Sequence, residues 1–194
     1  MICWDAARID CWHVDAMGSI RFQAKLHCPA TPSNASWAFA VLPKPASDKL
    51  PTRAMVSVEG TLAGHPFQTT LLPDGQGGHW LKVEAPILQA SHVAVGESIT
   101  FDIAPATTEP EPEVPPDLQQ ALADIPEARA TWDDITPLAR RDWIFWITSG
   151  KKAETRSKRI HTACDMLASG KRRACCFDRS GIYSKALSAP KAAE

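Results

Sequence analysis

The sequence predicts an α+β chain, with a small closed β-barrel followed by a separate helical domain. Three observations carry this. Residues 56–83 read as three strands, joined by a tight turn at Ala63-Gly64-His65-Pro66 and by a Gly-rich loop at residues 74–78. Residues 105–116 hold a Glu-Pro-Glu-Pro-Glu-Val-Pro-Pro run, stiff, extended and unable to bury apolar surface, which marks a domain boundary. Beyond it the apolar residues recur at helical spacing instead of alternating.

The elements follow in order. Residues 1–16 sustain no period and are read as a disordered or spurious extension, with Met17 as the expected true start. The barrel domain is placed at 17–104. Residues 19–27 alternate, with Ile20, Phe22, Ala24 and Leu26 on one side and Arg21, Gln23 and Lys25 on the other, the period of a half-buried strand. Residues 37–41 alternate again and are stopped by Pro43 and Pro45, and 46–52 read as a polar loop. Residues 54–62 form the third strand, in which Gly60 implies a bulge or a close approach of backbones. Residues 66–72 and 79–84 are the next two strands, 86–91 one helical turn, and 98–103 the last strand. Short strands at these intervals favour a closed barrel, which leaves no unpaired edge.

The spacer occupies 105–116, the helical domain 117–184 and a frayed tail 185–194. Asp117 is read as the cap of a first helix containing Leu118, Ala121 and Leu122. A second helix covers 126–134. Thr136-Pro137 is an N-cap followed by proline at the first helical position, and it opens a helix that ends at Gly150. Trp143, Trp146 and Ile147 lie three and four apart on that helix as a core face. The last helix covers about residues 152–168, with Ala153, Ile160, Cys164 and Leu167 inward and Gly170 as its C-cap.

The formal net charge of -1 argues against a uniformly basic nucleic-acid binder. The charge is uneven, however. Lys151, Lys152, Arg156, Lys158, Arg159, Lys171, Arg172, Arg173, Arg179 and Lys185 face only Glu154, Asp165 and Asp178 within residues 151–185. That asymmetry marks either a surface for an anionic partner or a solvated helix face. No run approaches the roughly 18 apolar residues of a membrane helix, and Asp5, Arg8, Asp10 and Asp15 break any signal-peptide core. A cytoplasmic protein is expected. Its cysteines, without Cys-x-x-Cys spacing, are then free thiols.

Two resemblances emerge. Residues 58–79, with Trp37-Ala-Phe-Ala-Val-Leu-Pro43 and Val95-Gly-Glu-Ser-Ile99, resemble a small bacterial barrel domain of uncharacterised function. The resemblance implies a double-split β-barrel, the architecture also used by AbrB/MazE-type transcription factors. Ala85-Pro-Ile-Leu-Gln-Ala-Ser91 departs from that family, which usually carries a basic residue there. The second half is similar to the bacteriocin-protection, YdeI/OmpD-associated family. The similarity lies in residues 116–122 (Pro-Asp-Leu-Gln-Gln-Ala-Leu), Trp132, residues 151–156 (Lys-Lys-Ala-Glu-Thr-Arg), Arg159-Ile160 and residues 170–173. It implies a bacterial cytoplasmic protein linked to tolerance of antimicrobial peptides, and supplies no reaction.

Candidate chemistry is sparse. Residues 74–79 (Asp-Gly-Gln-Gly-Gly-His) either cradle an anion through backbone N–H groups at Gly75, Gly77, Gly78 and His79, or form a hairpin that needs positive φ. Lys151, Lys152, Arg156 and Arg159 begin a helix, where backbone amides and guanidinium forks suit phosphate or carboxylate; a plain solvated surface is the alternative. His65 and His92 lack partners at metal spacing. Cys175 and Cys176 sit beside arginines that lower a thiol pKa, but no base is identified for them. No metal, cofactor or catalytic set is expected. The reading is a non-enzymatic binding module with an unknown anionic partner, possible homo-oligomerisation and a role in bacteriocin tolerance. The alternative is a nucleic-acid-binding regulator using the barrel and the basic segment.

Overall fold

The structure, a computed structural model, describes residues 18–150, 152–174 and 187–193. The expectations for residues 1–16, Met17, Lys151, Cys175 and Cys176 lie outside them. The chain divides into two compact units, one of Met1–Pro105 with Ala189–Glu194, the other of Ala106–Ser188.

The first unit contains β1 (Ile20–Lys25), β2 (Ala38–Val41), α1 (Lys44–Ser47), β3 (Val56–Leu62), β4 (His65–Pro73), β5 (His79–Val83), α2 (Ala85–Ser91) and β6 (Ser98–Pro105). The strands pair antiparallel in the order β1-β6-β3-β4-β5-β2. A bridge between His27 and Phe39 joins the two outer strands, with reciprocal backbone bonds of 2.8 and 2.9 Å. The result is the expected six-stranded, nearly closed barrel.

Alternation sets the interior. Ile20, Phe22 and Ala24 of β1 face Ile103, Phe101 and Ile99 of β6 across the ladder and share one buried cluster with Val58, Leu62, Leu71, Leu81 and Val83. The Phe22 and Phe101 rings stack with centroids 5.1 Å apart. A side chain at Gly60 would run into the Asp102 carbonyl of β6, so the two backbones approach closely there, as the glycine implied. Ala63 and Gly64 both take positive φ (48° and 87°), the geometry that lets a two-residue turn follow the twist of its strands.

Two stretches differ from the expectation. The segment after β2 does not stay a loop: Pro43 and Pro45 frame α1, because proline is compatible with the first turn of a helix, whose N–H groups have no helical partner. Residues 191–193 are not frayed either. Ala30 N–H donates to the Lys191 carbonyl at 2.8 Å and Ala193 N–H to the Cys28 carbonyl at 2.9 Å, adding a short pairing to the barrel unit.

The second unit contains α3 (Pro116–Ala123), α4 (Pro126–Asp134), α5 (Pro137–Thr148) and α6 (Ala153–Ala168) around Leu118, Leu122, Trp132, Trp143, Ile147, Ala163, Cys164 and Leu167. Thr136 caps α5, accepting from the Ala139 N–H at 3.3 Å. Gly170 (φ 80°) ends α6: its N–H reaches the Leu167 carbonyl and that of Lys171 the Met166 carbonyl, both left unsatisfied by the helix itself. Pro115, not Asp117, is the N-cap of α3, which places Asp117 in the first turn. The acidic stretch before α3 is not idle. Glu109 pairs with Arg141 at 2.5 Å, Glu111 with Arg140 at 2.7 Å, and Val114 packs on the helical core.

Candidate functional site

The Gly-rich loop between β4 and β5 has the backbone that its sequence calls for, with Gly75 and Gly77 at φ 77° and 84°. Its concavity is filled from within. The Asp74 carboxylate accepts from Gln76 N–H at 2.7 Å and from Gly78 N–H at 2.8 Å, and Asp74 N–H closes the turn on the Gly78 carbonyl at 3.1 Å. A Cβ on Gly78 would meet that carboxylate. Of the four donors expected to face an external anion, Gly78 N–H is thus engaged by the chain's own carboxylate, together with Gln76 N–H.

His79 does not stand at a loop mouth. It is fully buried, with Nδ1 2.5 Å from Ser47 Oγ and Nε2 3.0 Å from the Ala54 carbonyl. A carbonyl can only accept, so Nε2 carries the proton and Nδ1 accepts from the serine hydroxyl. Burial pushes the His79 pKa below its ordinary value, keeping the ring neutral. The histidine ties β5 to α1 and to the start of β3.

In the helical unit the basic residues separate. Lys152 is exposed at the N-cap of α6 and gives no side-chain cap. Arg156 grips the Asp117 carboxylate of α3 with two parallel bonds, Nε–Oδ2 at 2.6 Å and Nη2–Oδ1 at 2.8 Å. This fork holds Asp117 below the usual carboxylate range and raises Arg156. Arg159 turns the other way, donating to the Trp146 carbonyl at 2.6 Å and to Ser149 Oγ at 2.8 Å, with its guanidinium 5.5 Å from the centroid of the Trp146 ring. Lys158 pairs with Glu154 and Arg172 with Asp134. Arg156 and Arg159 therefore serve different neighbours and do not converge on one anion.

Several of these arginines do one job. A helix leaves its last carbonyls without N–H partners, and its C-terminal end is electronegative. Arg140 donates to the carbonyls of Trp132 and Asp133, Arg172 to that of Asp134, and Arg159 to that of Trp146, so the last turns of α4 and α5 are closed by side chains from elsewhere in the unit.

What the helices do leave open is a cleft of about 390 Å³ between α3 and α6. Ala121, Ala153 and Ile160 give it apolar walls, and Gln120, Asp124, Ser157 and the Asp117–Arg156 pair stand around them. The lining positions fall three and four apart on each helix, so one face of each is presented. Ala153, read from the sequence as inward, is exposed here. The cleft was not legible beforehand: its polar residues look like ordinary helix surface, and only the small residues Ala121 and Ala153 hint at helices that do not close on each other.

Cys164 is buried in the helical core, and burial pushes its thiol up, the opposite of activation. Among the described residues no group of three or more His, Cys, Asp or Glu is placed to hold a metal ion, and no helix is long and apolar enough to cross a membrane.

Comparison with known proteins fits this division. Residues 22–103 match the family model of a domain of unknown function, DUF1905, and residues 111–170 match that of the bacteriocin-protection, YdeI or OmpD-associated proteins. No curated protein matches the chain.

Proposed function

Starting from a chain that joins a DUF1905-type barrel to a bacteriocin-protection, YdeI/OmpD-associated helical unit, we propose a cytoplasmic, non-enzymatic binding protein that raises tolerance of bacteriocins and related envelope stress. One observation carries the reading. Two of the stretches that carry the bacteriocin-protection resemblance meet through the Asp117–Arg156 fork, and Asp117, Gln120, Ala121, Ala153 and Arg156 from them line the α3–α6 cleft. A family-matched segment that builds an open, apolar-walled cleft suits the binding of a ligand with apolar surface.

The test is genetic. Deleting the gene should increase sensitivity to cationic bacteriocins, and restoring it should reverse the change. Unchanged sensitivity in the deletion strain and on overexpression would remove the proposed role.

Binding of nucleic acid remains the second reading, motivated by the barrel architecture and by exposed Lys152, Lys171 and Arg173. It draws less support, because the guanidinium groups of Arg156, Arg159 and Arg172 are engaged within the helical unit. It requires affinity that falls steeply with salt, and absence of binding at low salt would discard it.

A further inference from the structure

We infer that the α3–α6 cleft receives a lysine or arginine side chain of a cationic amphipathic peptide, with its alkyl stem along Ala121, Ala153 and Ile160 and its charged head at Asp124. The inference rests on the proposed protective role and names the ligand chemistry of the cleft.

Three features point the same way. The charge of Asp117 is met by Arg156, so the lining's uncompensated charge is that of Asp124, whose carboxylate accepts from the neutral Gln120 amide at 3.1 Å. Among the described residues no Lys or Arg pairs with Asp124. Its position is also unfavourable for α3 itself: Asp124 is the C-cap, where the helix presents its negative end, and no basic residue occupies the last turn. A cation docked there meets a carboxylate and a helix terminus of the same sign. Finally, the walls between this negative pole and the α6 side are apolar, matching a side chain that has a hydrocarbon stem and a charged tip. An anionic ligand would instead confront Asp124 and would have to displace Asp117 from its fork.

The experiment measures binding of a fluorescently labelled amphipathic Leu/Lys peptide to the full chain by anisotropy, beside a Leu/Glu peptide of the same pattern. The Leu/Lys peptide should bind and the Leu/Glu peptide should not. Asp124 is exposed, so Asp124→Asn should weaken binding by roughly twofold to fivefold, as for a solvent-exposed charge pair. Ala153→Trp, which fills the wall, should weaken it at least as much. Glu127→Gln, an exposed acid outside the lining, should leave it unchanged. Circular dichroism checks that each variant is folded; Asp124→Asn removes an acid from a helix C-terminus and should not unfold α3. Equal affinity of wild type and Asp124→Asn, no binding of the Leu/Lys peptide, or equal binding of the Leu/Glu peptide would overturn the inference. In the deletion strain, a gene carrying Asp124→Asn should protect less than the wild-type gene. Full protection by that variant would sink the cleft and leave the protective role standing. Failure of the wild-type gene would sink the role, while the binding data would still judge the cleft.

Discussion

The barrel and the helical unit satisfy their backbone polar groups by opposite means. In the barrel the ladders do nearly everything, and the bridge between His27 and Phe39 ties the outer strands together. In the helical unit each helix meets its own needs except at its ends, and for α4 and α5 guanidinium groups complete the work, at the carbonyls of Trp132, Asp133, Asp134 and Trp146. The positive charge of Arg140, Arg159 and Arg172 is thus a means of ending helices. A cationic stretch of sequence is a poor guide to an anion site when its arginines have carbonyls to close.

Substitutions can sharpen or break this contrast. The largest effect should come from the helical core: Trp143 is fully buried, and Trp143→Ala should cost about 3–5 kcal/mol in urea denaturation. A loss below about 1 kcal/mol would mean that the helices do not depend on this core. Next, Arg140→Lys should lose about 1.5–3 kcal/mol. Arg140 serves two α4 carbonyls and Glu111 at once, and an ammonium on a flexible stem does not reproduce the fork. A neutral result would show that α4 ends well without it.

Acid should probe the barrel through His79. Its folded pKa is depressed by burial, so the unfolded chain takes up the proton first, near 6.5. The contribution of the neutral ring is fully present above that value and is lost as pH falls from it toward the folded pKa, at a limiting slope of about 1.4 kcal/mol per pH unit. His79→Gln should flatten stability against pH in that window, and an unchanged slope would exclude His79 as its source. Asp117 and Asp134 have the same sign at lower pH: their folded values are depressed by Arg156 and Arg172, so their contribution is present above the ordinary carboxylate range and fades below it. The smallest effect should be favourable. Ala63 holds φ 48° in the β3–β4 turn, and Ala63→Gly should stabilise the barrel by up to about 1 kcal/mol, measured by thermal melting.

The fold was largely legible because its signals are local. Alternation placed β1 and β6, the Thr136-Pro137 pair placed the start of α5, and Gly170 placed the end of α6. The helix α1 was missed because Pro43 and Pro45 stop a strand as readily as they start a helix. The candidate site was less legible because its determinants are pairwise and distant. Arg156 finds Asp117 39 positions away and Arg159 finds the Trp146 carbonyl 13 positions away, and neither partner is marked in the sequence. For the glycine loop the backbone was foreseeable, but the role of Asp74 as its internal anion was not.

The return of residues 191–193 to Cys28 and Ala30 has a mechanical consequence. The helices are spliced into the chain between two stretches anchored on the same sheet unit. Tension applied at residue 193 would load those two hydrogen bonds first, and the helices would bear force only after that clasp gave way. On a ribosome, the clasp could not close until every helix had been made.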